Sequence, residues 1–575
     1  MFDQLFISGL FGALFLGLIF TKWPAERIFV CAMLAAYFAG LVDTREVLDK
    51  ATNTGVVTLI LLLLVSTGLE KLSWLSRLSN RLIVQSYSAS LLRIGVATAF
   101  FSAFVNNTAV VASLAHTVRN NRLHPASKLL IPLSYAAILG GTMTLIGTST
   151  NLIVSSFLED VTGTGLAFFD FFVVGLTATV VGLLVLLLSA RLLPVGSSEI
   201  MDINEYVIEV EVDNDSTLIG KSILANKLRE LDDFFLVEIV RGDYLISPVT
   251  PQEHIEAGDK LIFSGDIEQM RVFEAFDGLR LFAVEEGLLS QNMKEVIVMP
   301  NASIEGRTVK DSAFRSMFDA AVVGMRRGGK RLSGKLGNIT IQAGDSMMLA
   351  VGPDFNERKN LDKNFAIIND SVGEAAQTTD SQNYAVTGML LAVITLATLE
   401  IVPLIKGMAF LLVFMLALGV VTGSELRRRF PFELWLIIAS ALTLSQAMTN
   451  SGLATAMTGM LQSNLSVLGP YGALIGVYLG AWLLTEAMTN NAAAALSFPI
   501  AFGLAESFGV SYMPFVMVVA YGASASFLTP FGYTTNLMVQ NLGGYEFRDY
   551  FRTGLPVSLA YSAVVIYMVP KVFPF

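Results

Sequence analysis

The chain is 575 residues long, 53% hydrophobic and formally charged −10. Several apolar runs reach the roughly 20 residues that cross a bilayer, so the chain reads as a polytopic membrane protein. One cysteine, Cys31, excludes an intrachain disulfide and a thiolate metal cluster, and reads as a small apolar helix residue.

The first apolar run, 5–20, lacks a cationic n-region and a small-residue cleavage site, so it reads as a retained span. Spans follow at 25–41 and 52–70, with Glu70 at the membrane boundary, then a polar interfacial helix through Trp74, Arg77 and Arg81. The stretch 94–117 is preceded by Arg77, Arg81 and Arg93 and followed by Arg119, Arg122 and Lys128. Cationic flanks at both ends place both ends in the cytoplasm. That predicts a re-entrant hairpin with Asn106-Asn107 at its tip, where exposed backbone is tolerable only inside protein or at a cavity. A span from about residue 128 is broken at Gly140-Gly141 and again at Gly147-Thr148-Ser149-Thr150-Asn151, and the last span of this half is 168–193.

Residues 197–383 hold 32 acidic and 19 basic side chains, leaving 16 and 19 of the chain's 48 and 38 for the rest. The acidity therefore belongs to a soluble insert, and nothing suggests nucleic-acid binding. The insert repeats: Ser216-Thr217-Leu218-Ile219-Gly220-Lys221 matches Ala302-Ser303-Ile304-Glu305-Gly306-Arg307, and Ala257-Gly258-Asp259 matches Ala343-Gly344-Asp345, all at an offset of 86. Each copy reads as an alternating strand, a short helix and two or three further strands. The boundaries are set at 197–288 and 289–360, with 361–383 as a polar linker. Arg326-Arg327 and Lys330-Arg331 read as a solvated hairpin turn; a nucleotide phosphate is the alternative ligand.

The second half repeats the first, with spans at 384–402, 406–422 and 432–450 and then a short amphipathic stretch. A hairpin at 471–503 carries Asn490-Asn491 at its tip, a span at 511–541 is interrupted at Thr529–Asn536, and a last span is 549–574. Asn107 to Asn491 is 384 residues and Asn151 to Asn536 is 385, which indicates a two-fold repeat. Five crossings per half is an odd number, so the halves are inverted. Arg427-Arg428-Arg429, Arg548 and Arg552 then fall in the cytoplasm, both termini outside, and 197–383 in the cytoplasm. The fold class is thus an α-helical polytopic membrane protein of the inner or plasma membrane. It has inverted five-span repeats (1–196 and 384–575), each with a re-entrant hairpin and a broken helix, and a cytoplasmic α+β insert of two tandem modules.

Buried amides cost several kcal/mol unless paired, so Asn106-Asn107-Thr108 and Asn490-Asn491-Ala492 point to a polar cavity near the midplane. Carbonyl and amide oxygens suit a hard cation such as Na⁺, while helix N-termini with Asn and Thr donors suit an anion. Each ion then supplies the other's counter-charge, which couples them. Bonding between the Asn pairs in a structural role is the plainer alternative. Thr529-Pro530-Phe531-Gly532-Tyr533 lacks the four-fold repetition of a potassium filter. Glu486 reads either as an acid paired within the hairpin or as a cation group. His116, His124 and His254 lack metal-ligand spacing. No catalytic triad, Walker loop or dinucleotide fingerprint is present, so an enzyme reading has no residues to carry it.

The two tips resemble the paired Ser-Asn-Thr tips of the divalent anion–sodium symporter family. Gly147-Thr148-Ser149-Thr150-Asn151 and Gly532-Tyr533-Thr534-Thr535-Asn536 resemble its Gly-Thr-Pro-Pro-Asn unwound segments. The insert resembles two C-terminal ligand-binding modules of the TrkA type. The resemblance implies a homodimer moving by an elevator mechanism. It implies one sodium site at Asn107, Gly147 and Asn151, and another at Asn491, Gly532 and Asn536. It implies substrate contacts from Asn106, Asn107, Thr108, Thr148, Ser149, Asn490, Asn491, Ala492, Tyr533 and Thr534. Asn stands for Ser at both tips, Ala492 stands where Thr is expected, and both breaks replace proline with hydroxyl residues. This favours sulfate over a dicarboxylate as substrate. A ligand-sensing or potassium-handling protein acting through the insert is the alternative of another class.

Overall fold

The computed structural model describes residues 2–575 save 22, 73–80, 120, 122, 195–206, 229–230, 232–233, 243, 247–248, 266–275, 277, 283–292, 300–301, 328–329, 333–335, 353, 356–357, 359–360, 368–377, 400, 454–468 and 531. The polar helix expected through Trp74 and Arg77, and the amphipathic stretch expected after residue 450, fall largely outside these residues.

The chain is mostly helical. Its first half runs α1 (Phe2–Phe20), α2 (Ala25–Phe38), α3 (Thr44–Ala51), α4 (Thr54–Leu69), α5 (Tyr87–Ser102), α6 (Asn107–Arg119), α7 (Leu130–Gly141), α8 (Ser149–Thr162) and α9 (Phe172–Ser189). Among the described residues, four helical segments are long and apolar enough to cross a membrane: Thr44–Leu69, Phe172–Leu192, Phe432–Asn450 and Phe547–Val572. Several other helices are shorter, among them α6 and α8, 13 and 14 residues long, which begin at the cavity instead of continuing the helix before them. The stretch 94–117 is two helices joined at residues 103–106, and the span from 128 is interrupted between Gly141 and Ser149. In this half α3 was not anticipated; it is a polar helix whose Asp43 and Glu46 form a capping box.

The second half has the same order: α12 (Asp380–Thr398), α13 (Leu404–Ala417), α14 (Gly423–Arg428), α15 (Phe432–Asn450), α16 (Gly469–Ala487), α17 (Asn490–Phe508), α18 (Met513–Ala523), α19 (Thr534–Gly543) and α20 (Phe547–Val572). Two glycines permit matching close approaches. A Cβ at Gly175 of α9 would lie 2.4 Å from the Thr142 carbonyl oxygen, and one at Gly554 of α20 would lie 2.0 Å from that of Phe527. Each last helix therefore lies directly on the chain leaving α7 or α18. Tyr135 of α7 fastens the second of these places by donating to the Phe527 carbonyl at 2.6 Å.

The insert forms two five-stranded sheets, ordered β3-β2-β4-β1-β5 and β10-β6-β9-β7-β8. The strands are β1 (Val207–Val212), β2 (Phe234–Arg241), β3 (Tyr244–Ile246), β4 (Lys260–Gly265) and β5 (Leu279–Phe282) in the first module. In the second they are β6 (Met293–Val298), β7 (Ala320–Arg327), β8 (Lys330–Arg331), β9 (Ser346–Val351) and β10 (Phe365–Ile367). Each module has its own core, with Val210, Leu236 and Phe263 in one and Val296, Val322 and Leu349 in the other. Arg241 holds Asp259, and Arg327 holds Asp345, through paired hydrogen bonds of 2.7–2.9 Å. The aspartate bond raises each guanidinium above its ordinary value. Arg327 thus serves the fold of the turn. The linker expected at 361–383 begins later: α11 (Leu361–Asn364) and β10 complete the second sheet, and Phe365 pairs with Val298. The short helix expected in each module is α10 (Phe314–Phe318) in the second; its counterpart in the first, 228–232, falls largely outside the described residues.

Candidate anion and cation cavity

A cavity of about 330 Å³ lies where the two hairpins meet the two breaks. One wall is polar and includes Asn106, Asn107, Thr108, Gly147, Thr148, Ser149, Thr489, Asn490, Asn491, Gly532, Tyr533 and Thr534. The other is mainly apolar: Leu62, Leu63, Val65 and Leu69 of α4, with Leu390, Met408 and Leu434 of α12, α13 and α15. The polar wall is built from helices that pack on one another, α5–α9 and α16–α20; α4 packs on α13 and also on α8 of the polar wall, and α15 packs on α2 and α3 and, less, on α17.

Four helices begin at this cavity. Asn107, Ser149, Asn490 and Thr534 are the first residues of α6, α8, α17 and α19, and all four line it. Each N-terminus carries unpaired N–H groups and roughly half a positive charge. Four such ends converge with no lysine or arginine among the described lining residues, an arrangement whose chemistry suits an anion held by dipoles and hydroxyls.

The side chains lock the two halves together. Asn107 donates through Nδ2 to the Tyr533 hydroxyl at 2.6 Å, which lies 3.3 Å from the Thr148 hydroxyl. Ser149 donates to Asn491 Oδ1 at 2.8 Å. Below the cavity, Ser134 donates to Asn536 Oδ1 at 2.7 Å, and Asn536 Nδ2 reaches the carbonyls of Ser526 and Thr529. Asn151 Nδ2 likewise reaches the Thr144 carbonyl at 2.8 Å. Asn151 and Asn536 are fully buried and sit behind the cavity wall.

Oxygen donors suited to a hard cation are present in both halves. Asn151 Oδ1 is buried with no hydrogen-bond partner, and so is Ser526 Oγ, which a Cβ at Gly532 would meet at 2.0 Å. Glu486 supports the second break from outside the cavity: its Oε1 accepts from the N–H groups of Phe527 and Leu528, both at 2.9 Å. Glu70 pairs with Arg429 at 2.6 Å.

The hydrogen bonds correct the internal alignment at the tips by one residue. Ser102 donates to Asn107 Oδ1, and Thr485 donates to Asn490 Oδ1 at 2.8 Å, each bond spanning five residues. Thr144 donates to the Ala103 carbonyl, and Thr529 to that of Glu486. Asn107 therefore corresponds to Asn490, not Asn491. The second tip is Thr489-Asn490-Asn491, with Thr489 capping α17 by accepting from Ala492 N. Ala492, expected to touch substrate, is 1% exposed and does not line the cavity. Thr489 and the apolar wall were not anticipated. The hydroxyl-Asn pattern signalled Thr489. Nothing distinguishes a wall leucine from a lipid-facing one.

A polar cavity between packed, apolar helices is the architecture of a membrane transport protein. The model of the citrate transporter family matches residues 15–522, and the chain belongs to that family. It is 34% identical to a putative sulfur deprivation response regulator of Chlamydomonas reinhardtii, over 92% of this chain and 94% of that protein. It is 29% identical to an uncharacterized transporter of Synechocystis, over 94% and 92%. It is also 28% identical to sodium/sulfate cotransporter 2 of Chlamydomonas reinhardtii, over 62% of this chain but only 42% of that longer protein. The family is one of transporters, not of enzymes.

Proposed function

We propose that the protein is a sodium-coupled symporter of a divalent inorganic anion, with sulfate as the substrate. The observation that carries this reading is the convergence of four helix N-termini on a cavity lined by Asn, Thr, Ser and Tyr. A compact tetrahedral dianion accepts from many donors at once, which such a wall provides. Relatives named sodium/sulfate cotransporters support both the ion and the substrate. In this reading Asn106, Thr108, Thr148, Ser149, Asn491, Tyr533 and Thr534 contact the anion. One sodium ion is held near Asn107, Gly147 and Asn151. The other is held near Asn490, Gly532 and Asn536, with Asn490 taking the place first given to Asn491.

The halves are inverted repeats with re-entrant hairpins, one entering from each side. The polar wall and its helices form a body that moves against the apolar wall, in elevator fashion, within a homodimer in the inner or plasma membrane. Residues 197–383 are a cytoplasmic regulatory insert of TrkA-like modules, and the termini are outside. Uptake of radiolabelled sulfate into proteoliposomes, with and without an inward sodium gradient, tests the reading. Sodium-dependent uptake is expected; its absence refutes the proposal. The family's name makes citrate the competitor of interest, and citrate uptake exceeding sulfate uptake would transfer the site to a carboxylate substrate.

A further inference from the structure

The second module of the insert is joined to the membrane helices by one face of its sheet edge. Along β6 and β10 the side chains alternate. Val296, Val298, Phe365 and Ile367 enter the module's own core, whereas Ile297 and Ala366 pack into the core of the membrane helices. Ile297 and Ala366 are direct neighbours across the two strands. Glu295, on the same face as Ile297, forms an ion pair with Arg119; the two side chains are 6% and 7% exposed. Ser346 donates to the other oxygen of Glu295 at 3.0 Å. The first module, built to the same plan, has Glu209, Glu211 and Arg280 at the positions of Glu295, Ile297 and Ala366, each 86 residues earlier. The apolar pair on this face is therefore particular to the second module.

The two attachments lead to different parts of the membrane helices. Arg119 ends α6, whose first residue, Asn107, lies in the cavity about 18 Å away at helical rise. Lys363, in the same module, pairs at 2.5 Å with Glu433 in the first turn of α15, and the next residue, Leu434, is part of the apolar wall. The module thus grips the polar body at one point and the wall opposite it at another.

We propose that the second module is a strap: it fastens the hairpin body to the apolar wall and sets how readily the cavity opens. This rests on the two-body reading of transport above. The Arg119–Glu295 pair is the strong anchor because it is buried, and Lys363–Glu433 is the weaker one because it is exposed.

The test places a reporter cysteine on the wall, Leu434→Cys, in a full-length chain whose own cysteine is removed by Cys31→Ala. N-ethylmaleimide labelling in detergent micelles then measures cavity opening without reference to any substrate. Glu295→Gln and Arg119→Gln are each expected to raise the labelling rate several-fold, and together to raise it no further, since one pair is lost either way. Lys363→Gln is expected to raise it less. Unchanged labelling in the Glu295 and Arg119 variants overturns the strap. Should those variants fail to fold, Lys363→Gln decides: unchanged labelling overturns the proposal, and faster labelling supports it. A parent protein that carries no sulfate would refute the transport substrate and leave this measurement standing.

Discussion

Replacing Asn490 and Asn491 separately distinguishes the two alignments of the tips. Asn490 is 9% exposed, and its Oδ1 accepts from Thr485. On truncation to alanine, Thr485 keeps its second bond, to the Ala523 carbonyl at 2.6 Å, so no buried hydroxyl is orphaned. The fold should therefore lose only about 1 kcal/mol, the net worth of one neutral hydrogen bond. The cation loses more. An oxygen facing a charge contributes about 1.5–3 kcal/mol, which corresponds to roughly 10- to 100-fold in the sodium concentration for half-maximal uptake. Asn491 instead accepts from Ser149 across the cavity. Asn491→Ala is expected to raise the half-saturating sulfate concentration while leaving sodium dependence near the parent's. The assay is initial-rate uptake in proteoliposomes over a grid of sodium and sulfate concentrations. If Asn491→Ala shifts sodium dependence and Asn490→Ala does not, the hydrogen-bond alignment is wrong as a guide to the ion sites.

Tyr533→Phe removes the acceptor of Asn107 Nδ2 and the neighbour of the Thr148 hydroxyl. A loss of about 1–3 kcal/mol in sulfate affinity is expected in the same uptake assay, with little change in expression. Gly554→Ala places a methyl 2.0 Å from the Phe527 carbonyl oxygen and 2.8 Å from the Tyr135 hydroxyl. The backbone on one side has little room to move, so a cost of about 1–3 kcal/mol and a lower melting temperature in detergent are expected. Asp345→Ala strips a fully buried carboxylate from Arg327 and from the Gln342 N–H. Arg327, 35% exposed, keeps the Thr340 carbonyl, so the loss is about 1–3 kcal/mol, and limited proteolysis of the full chain should cut the second module first.

Much of the architecture was legible in the sequence because its signals are local. The helix junction at 103–106 was signalled by cations on both flanks of one apolar run, that at 488–489 by its Asn pair, and the breaks after α7 and α18 by clustered Gly, Ser, Thr and Asn. The insert's repeat was legible for the same reason: every strand of the second module lies 86 residues after its counterpart. What stayed hidden depends on contacts distant in sequence. The one-residue shift at the second tip is invisible because both alignments match an asparagine to Asn107; only the bond from Thr485 selects Asn490. Residues 361–367 looked like linker because a three-residue strand and a four-residue helix are too short for a periodic pattern, and β10 is fixed by pairing with β6 instead. The apolar wall was hidden because leucines facing lipid, neighbouring helices or a cavity read alike.

The unequal walls bear directly on how an anion would move. The polar wall offers the N–H groups of four helix starts, whereas Leu62, Leu63, Val65, Leu69, Leu390, Met408 and Leu434 offer no hydrogen bond at all. On the proposed reading, Ser66 is the one polar side chain of the opposite wall, among the described lining residues, that an anion bound at the tips would have to release. The polar body can then slide past the apolar one with at most the Ser66 hydroxyl to release, and the other contacts exchanged are non-directional. An empty or half-loaded site is different. Without sodium, four positive helix ends compete for one anion with no cation to offset the charge it brings. Without the anion, the buried oxygens near the cation sites lack their balancing charge on the far side. Either half-loaded state presents an unbalanced charge to the leucines, which penalise it by desolvation, so movement is favoured when both ions are bound. The apolar wall is thereby part of the coupling, although Ser66 is the one polar side chain it brings to the cavity among the described residues.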